Sequence, residues 1–190
     1  MVVPRSWKDA DGVEAMREFL RQAPPRKAAV RDLMTELLSP DPFDCRCAAD
    51  LARRVSAREP GILGKYADVL IDLAGELPLE QWQARGYVLM AAALNCRTRA
   101  QLMRLAIPAR TMVTDERNAV RAMALEAFGI LGLAEPELRE EATILLEHAR
   151  REGTCAMRSR ACRMLPPLLR ADSKVLLERR HQARVPNRAG

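Results

Sequence analysis

The 190-residue sequence is poor in aromatic residues and in histidine. Aromatic residues make up only 4% of the chain, and there are two histidines. Alternating β-branched and polar residues are missing as well, so nothing in the sequence indicates β-strands. The longest stretch without a charged residue runs from Gly86 to Cys96, which is too short to cross a bilayer. The sequence is instead rich in alanine, leucine, methionine and arginine, and these residues favour helices.

Sequence motifs for catalysis and metal binding are also missing. There is no glycine-rich phosphate loop, no nucleophile elbow and no His-Glu metal motif. The five cysteines form no Cys-x-x-Cys pair, and neither His148 nor His181 has a ligand partner at metal-site spacing. We therefore expect a protein that is not an enzyme and that uses no metal or cofactor. Reduced cysteines and the lack of an apolar leader segment predict a cytoplasmic location.

Positive charge is concentrated near the C-terminus. The whole chain has a formal net charge of +6, and residues 150–190 alone carry eleven basic side chains against three acidic ones. This segment is either a solvated basic face or an interface for an acidic partner. Nucleic acid is one such partner, but no aromatic residue follows Phe128 to stack on bases.

One pattern recurs four times along the chain: an arginine followed, three and six residues later, by a small or apolar residue. These ladder arginines are Arg46, Arg85, Arg121 and Arg158. Their spacings are 39, 36 and 37 residues, and residues three and six apart share one helical face. An acidic residue stands five positions before three of them, at Asp41, Glu80 and Glu116. We predict that these acids pair with the ladder arginines and fix the stacking of repeats.

The pattern predicts four antiparallel helix pairs joined by short turns. They cover 25–38 with 42–57, 60–77 with 80–95, 98–113 with 116–133, and 136–151 with 154–169. Pro60 and Pro136 are placed to open first helices, and Pro108 falls inside one, which it should kink. The domain layout is an N-terminal capping helix (1–24), a repeat array (25–170), and a C-terminal helix with a basic tail (171–190).

Residues 41–49 and 116–124 resemble the second helix of HEAT repeats, and Pro108 resembles the proline of the first. The resemblance extends over about 25–169, and it fails at Gly153, where the acid is missing. It implies an all-α, right-handed α-α superhelix of helix pairs with terminal capping helices. It also implies that the second helices line a concave wall that binds a segment of another protein. Some HEAT-like proteins are DNA glycosylases, so a nucleic-acid function that uses the basic C-terminal region stays open.

Positions one, four, five and eight residues after each ladder arginine are predicted to face this concave wall. The predicted partner-binding residues are Asp50, Arg54, Met90, Glu126 and Arg163. Apolar contact at Met90 and charge at the ends of the wall would hold the partner. Alternatively, the small residues at these positions serve close helix packing. We expect the chain to act as a scaffold for another protein, as a monomer or weak dimer, away from membranes.

Overall fold

The computed structural model describes residues 27–184, and the side chains of residues 30–171. Those residues form eight α-helices, three short 3₁₀ turns and no strand, so the fold is all-α as predicted. The helices are α1 (Lys27–Leu37), α2 (Pro42–Arg58), α3 (Ala67–Glu76), α4 (Trp82–Asn95), α5 (Arg99–Met112), α6 (Asn118–Ala134), α7 (Arg139–Glu152) and α8 (Cys155–Arg184). The N-terminal capping helix predicted within 1–24 and the tail after residue 184 lie outside the described residues.

The helices pack as four consecutive pairs. Within a pair, α1 packs on α2, α3 on α4, α5 on α6, and α7 on α8. The second helix of each pair (α2, α4, α6 or α8) also packs on the second helix of the next, and α3 packs on α5. Alanine and leucine dominate the core between the layers. The small alanine side chains let the helix axes approach closely. This nearest-neighbour packing is consistent with a solenoid.

Two helices begin with side-chain caps that the sequence supplies. The carboxylate of Asp41 accepts hydrogen bonds from the backbone N–H groups of Phe43 and Asp44, and Pro42 is the first residue of α2. Thr98 and Gln101 form a reciprocal capping box at the start of α5. Such caps satisfy amides that have no partner within the helix, so the starts of α2 and α5 are set locally.

The helix predicted to open at Pro60 begins seven residues later, at Ala67. Gly61 has φ +88°, a conformation that favours glycine and interrupts a helix. The N–H of Gly61 donates to the carbonyl of Leu94, and the N–H of Leu63 donates to the side chain of Asn95. The loop is thus tied to the end of α4 by hydrogen bonds that a helix here would have used internally.

The predicted break near residue 170, between the last repeat helix and a separate C-terminal helix, is also wrong. Helix α8 is continuous from Cys155 to Arg184, so the predicted C-terminal helix is its extension. No glycine or proline lies between residues 168 and 184 to end it. Pro108 lies inside α5, as predicted.

Candidate partner-binding face

The ladder arginines sit in the first turns of the second helices, but they do not form the predicted ion pairs with Glu80 and Glu116. Both glutamates are exposed, and no salt bridge joins either to a ladder arginine within the described residues. Arg121 bonds to Asn118, and Arg158 donates to the carbonyl of Gly153. These contacts are local to each helix start.

The other two ladder arginines contact the neighbouring repeat or the core. Arg46 lies over the ring of Phe43, 5.0 Å from its centroid, and donates to Gln83 of the next repeat at 3.5 Å. Arg85 is only 5% exposed, and its Nε has no hydrogen-bond partner among the described residues. Within the described residues, no salt bridge joins any of the four ladder arginines to a carboxylate, and their contacts lie near the helix starts.

Ion pairs between repeats do exist, on other arginines. Arg104 of α5 binds both Asp68 and Asp72 of α3, each at 2.6 Å. Arg110 makes a two-pronged contact with Glu141. A single nitrogen of Arg99, Nη2, donates to both carboxylate oxygens of Glu137. The partners are 31 to 38 residues apart, so each pair joins neighbouring repeats. Each pair is exposed to solvent, so each contributes little to the stability of the stack.

In α4 and α6, three of the positions predicted to face a concave wall instead pack one second helix on the next, whereas in α2 the equivalent Cys47, Asp50 and Arg54 stay partly or fully exposed. We call positions one, four and eight after the ladder arginine the stacking face. In α4 this face consists of Gly86, Leu89 and Ala93, and in α6 of Ala122, Leu125 and Gly129. All six residues are buried.

The glycines show what covers the stacking face. A Cβ built on Gly86 would lie within 3 Å of the side chain of Met123 in α6, and one on Gly129 would meet Met164 of α8 equally closely. Each glycine therefore receives a methionine from the following second helix. The packing alternative for these small residues holds in the interior repeats.

The five predicted partner-binding residues fall into two groups. Met90 is 5% exposed, so the prediction of an open apolar contact there is wrong. Asp50 and Glu126 are each largely enclosed by two arginines. Asp50 binds Arg53 and Arg54 at 2.6 and 2.7 Å, and Glu126 binds Arg160 and Arg163 of the next repeat.

Two of the five residues keep an accessible charge. The Arg54 side chain is 48% exposed and that of Arg163 is 54% exposed. Each shares one carboxylate with a second arginine, so each cluster keeps an excess positive charge. Arg54 lies in α2 and Arg163 in α8, at opposite ends of the row of second helices.

The two helix layers differ in charge. Up to residue 171, the second helices carry ten arginines against three carboxylates, whereas the first helices (α1, α3, α5 and α7) carry eight basic residues against nine acidic ones. Most of the excess lies in α2 and α8, because α4 and α6 each contain a single arginine. Positive charge therefore marks both ends of the second-helix layer and leaves a neutral middle.

The cysteines in the core are poor nucleophiles. Burial raises the pKa of the Cys45 and Cys47 thiols, and for Cys47 it outweighs the opposing effect of neighbouring Arg46. The pKa of Cys96 is raised to about 12, first by burial and then by nearby Asp68. A thiol that stays protonated at neutral pH does not react readily. Cys155 and Cys162 are exposed on α8.

One cleft between second helices has few groups that could take part in catalysis. A cleft of about 240 Å³ lies between the starts of α2 and α4, and its charged side chains are Arg46 and Glu80. These supply neither a nucleophile nor a pair of acid–base groups. Within residues 30–171 no cluster of three potential metal ligands occurs. Trp82 packs partly buried against the core, in agreement with a structural role in the turn.

Comparison with known proteins gives no relative. No protein-family model matches this chain, and no curated protein or solved structure is significantly similar to it. Separately, no helix in the described part of the chain is long and apolar enough to span a membrane.

Proposed function

We propose that the protein is a non-enzymatic interaction scaffold of the HEAT-like type, whose second-helix layer binds an acidic segment of a partner protein. The charge difference between the two layers is the observation that carries this proposal. Ten arginines against three carboxylates produce a positive potential on one layer, and such a potential attracts and orients acidic partners. The partner contacts Arg54 and Arg163, the two accessible members of the predicted set.

The neutral middle of the second-helix layer favours a protein partner over nucleic acid. A nucleic acid needs positive charge along the whole track of its phosphates, and α4 and α6 interrupt that track. The half-buried ring of Tyr87 lies under Arg53, 5.2 Å from its guanidinium carbon, so it is not a free platform for a base. A DNA-repair glycosylase is the weaker alternative for the same reasons.

Neutralising the two accessible arginines should weaken binding of an acidic probe. In Arg54→Gln/Arg163→Gln, Asp50 keeps Arg53 and Glu126 keeps Arg160, so the fold is retained. Loss of two charged contacts, each contributing about 0.5–1 kcal/mol, should weaken binding of a fluorescein-labelled polyglutamate peptide roughly 5- to 30-fold. Fluorescence anisotropy over a series of NaCl concentrations measures this.

The matched control removes the same charge from the other layer. Arg150 and Arg151 of α7 are exposed and share Glu147, and Arg150→Gln/Arg151→Gln should change the affinity by less than about twofold. Equal losses in both variants would show that net charge alone governs binding and would refute a specific face. Tighter binding of mixed-sequence duplex DNA than of polyglutamate would favour the nucleic-acid function instead.

A further inference from the structure

The stacking face of the last described second helix is open. On α8 the stacking-face positions are Ser159, Cys162 and Pro166, and all three are exposed. The equivalent residues of α4 and α6 are buried beneath the following second helix. The open surface of α8 is therefore equivalent, position by position, to the surface that α4 and α6 use for stacking.

The charges beside this open face are the reverse of those beside the buried one. On α6, Glu126 lies five residues after the ladder arginine and is bound by Arg160 and Arg163 of α8. The equivalent position on α8 is Arg163 itself. Arg158 and Arg170 of α8 are also exposed. A helix that stacked on α8 as α8 stacks on α6 would need carboxylates where α8 has Arg160 and Arg163, that is, three residues apart.

We infer that the open face of α8 docks an acidic amphipathic helix of a partner protein, in the position that a fifth second helix would occupy. This mode of recognition lays the apolar stripe of a helix against a complementary surface. The site shares Arg163 with the proposed function, and to that extent it rests on that proposal, but it does not include Arg54, which lies at the other end of the row. Loss of the contact at Arg54 would therefore leave it intact.

A second copy of this chain fits the face poorly. Two α8 helices placed face to face would set Arg158, Arg163 and Arg170 of one copy against the same arginines of the other, and like charges at an interface are unfavourable. Helix α2 of another copy does not offer the required carboxylates either. Its residues two and five after the ladder arginine are Ala48 and Leu51, both buried.

Two cysteines on α8 report occupancy of the face. Cys162 is equivalent to Leu125 of α6, which is buried, whereas Cys155 is equivalent to Asn118, which stays exposed. A docked helix should therefore shield Cys162 and leave Cys155 accessible. The probe is a helical alanine-leucine peptide of about 20 residues with glutamates three residues apart. The control peptide has lysine in place of each glutamate.

Alkylation by iodoacetamide, followed by mass spectrometry, tests the docking. With saturating acidic peptide we expect alkylation of Cys162 to slow about tenfold or more while that of Cys155 stays constant. Ser159→Arg, which places a long side chain on the face, should abolish the protection. Ala156→Arg adds the same side chain at a position equivalent to exposed Ala119 and should preserve it.

Four results of the peptide experiment would overturn the inference. They are no protection by the acidic peptide, equal protection by the lysine peptide, protection that survives Ser159→Arg, and protection of both cysteines together. Protection that grows with protein concentration when no peptide is present would identify a second copy as the occupant, and would overturn it too.

Discussion

Replacing Asn95 by leucine is expected to lower the free energy of unfolding by about 3 kcal/mol, because it breaks three buried hydrogen bonds and leaves the N–H of Leu63 without a partner. Asn95 is fully buried. Its carbonyl accepts from the N–H of Leu63, and its amide donates to the Ser56 hydroxyl and to the carbonyl of Ala91, each at 2.7 Å. This side chain therefore connects the ends of α2 and α4 to the loop between α2 and α3. Urea denaturation monitored by circular dichroism measures the change.

Asn118→Leu is the matched control for this substitution. Asn118 is exposed at the start of α6, and its side-chain bond to Arg121 is on the surface, so the same change there should alter stability by no more than about 0.5 kcal/mol. Ser56→Ala removes one member of the buried network, and Asn95 keeps its bond to Ala91, so an intermediate loss of about 1 kcal/mol is expected. Equal effects of the leucine substitutions at positions 95 and 118 would contradict the network.

Gly132→Ala is expected to destabilise the protein by about 1–2 kcal/mol, although alanine is the better helix former. The added Cβ would lie 2.7 Å from the Cβ of Ala142 and 3.2 Å from the backbone of Arg139. Both atoms belong to α7 and cannot move without shifting that helix. Overpacking of this kind typically costs about 1–3 kcal/mol and outweighs the gain in helix propensity. The melting temperature should fall by about 3–6 °C.

Gly75→Ala should have the opposite effect on the stability of the protein. Gly75 lies inside α3, and a Cβ there meets nothing within 4 Å. The substitution should therefore stabilise the protein by about 0.5–1 kcal/mol through helix propensity and the unfolded-state entropy. If both alanine variants raised the melting temperature, the close approach of α6 and α7 at Gly132 would be wrong.

The helices and their pairing could be predicted because both depend on local sequence and on its recurrence. Apolar spacing, caps such as Asp41, and the arginine period are all readable along the chain. The late start of α3 could not be read in the same way. It depends on Asn95, more than 30 residues away, which draws the N–H of Leu63 out of a helix.

The prediction of an open wall failed because a stripe of small residues has the same appearance in a groove and in a tight helix contact. Gly86 and Gly129 fit either interpretation until the positions of Met123 and Met164 are known. The prediction that Glu80 and Glu116 pair with the ladder arginines failed for a related reason. Which carboxylate an arginine meets depends on the offset between neighbouring helices, and the pattern within one repeat does not contain that offset. Arg54 and Arg163 remain predictions as partner contacts.

The central claim is that α4 and α6 stack through one face and that α8 leaves the equivalent face open. The reactivity of the five native cysteines tests this claim most directly. Iodoacetamide treatment of the native protein at pH 8, followed by mass spectrometry, should modify Cys155 and Cys162 rapidly, because both are exposed. Cys45, Cys47 and Cys96 should react much more slowly, because burial keeps their thiols protonated. Slow modification of Cys162, at the rate of buried Cys45, would contradict the open face.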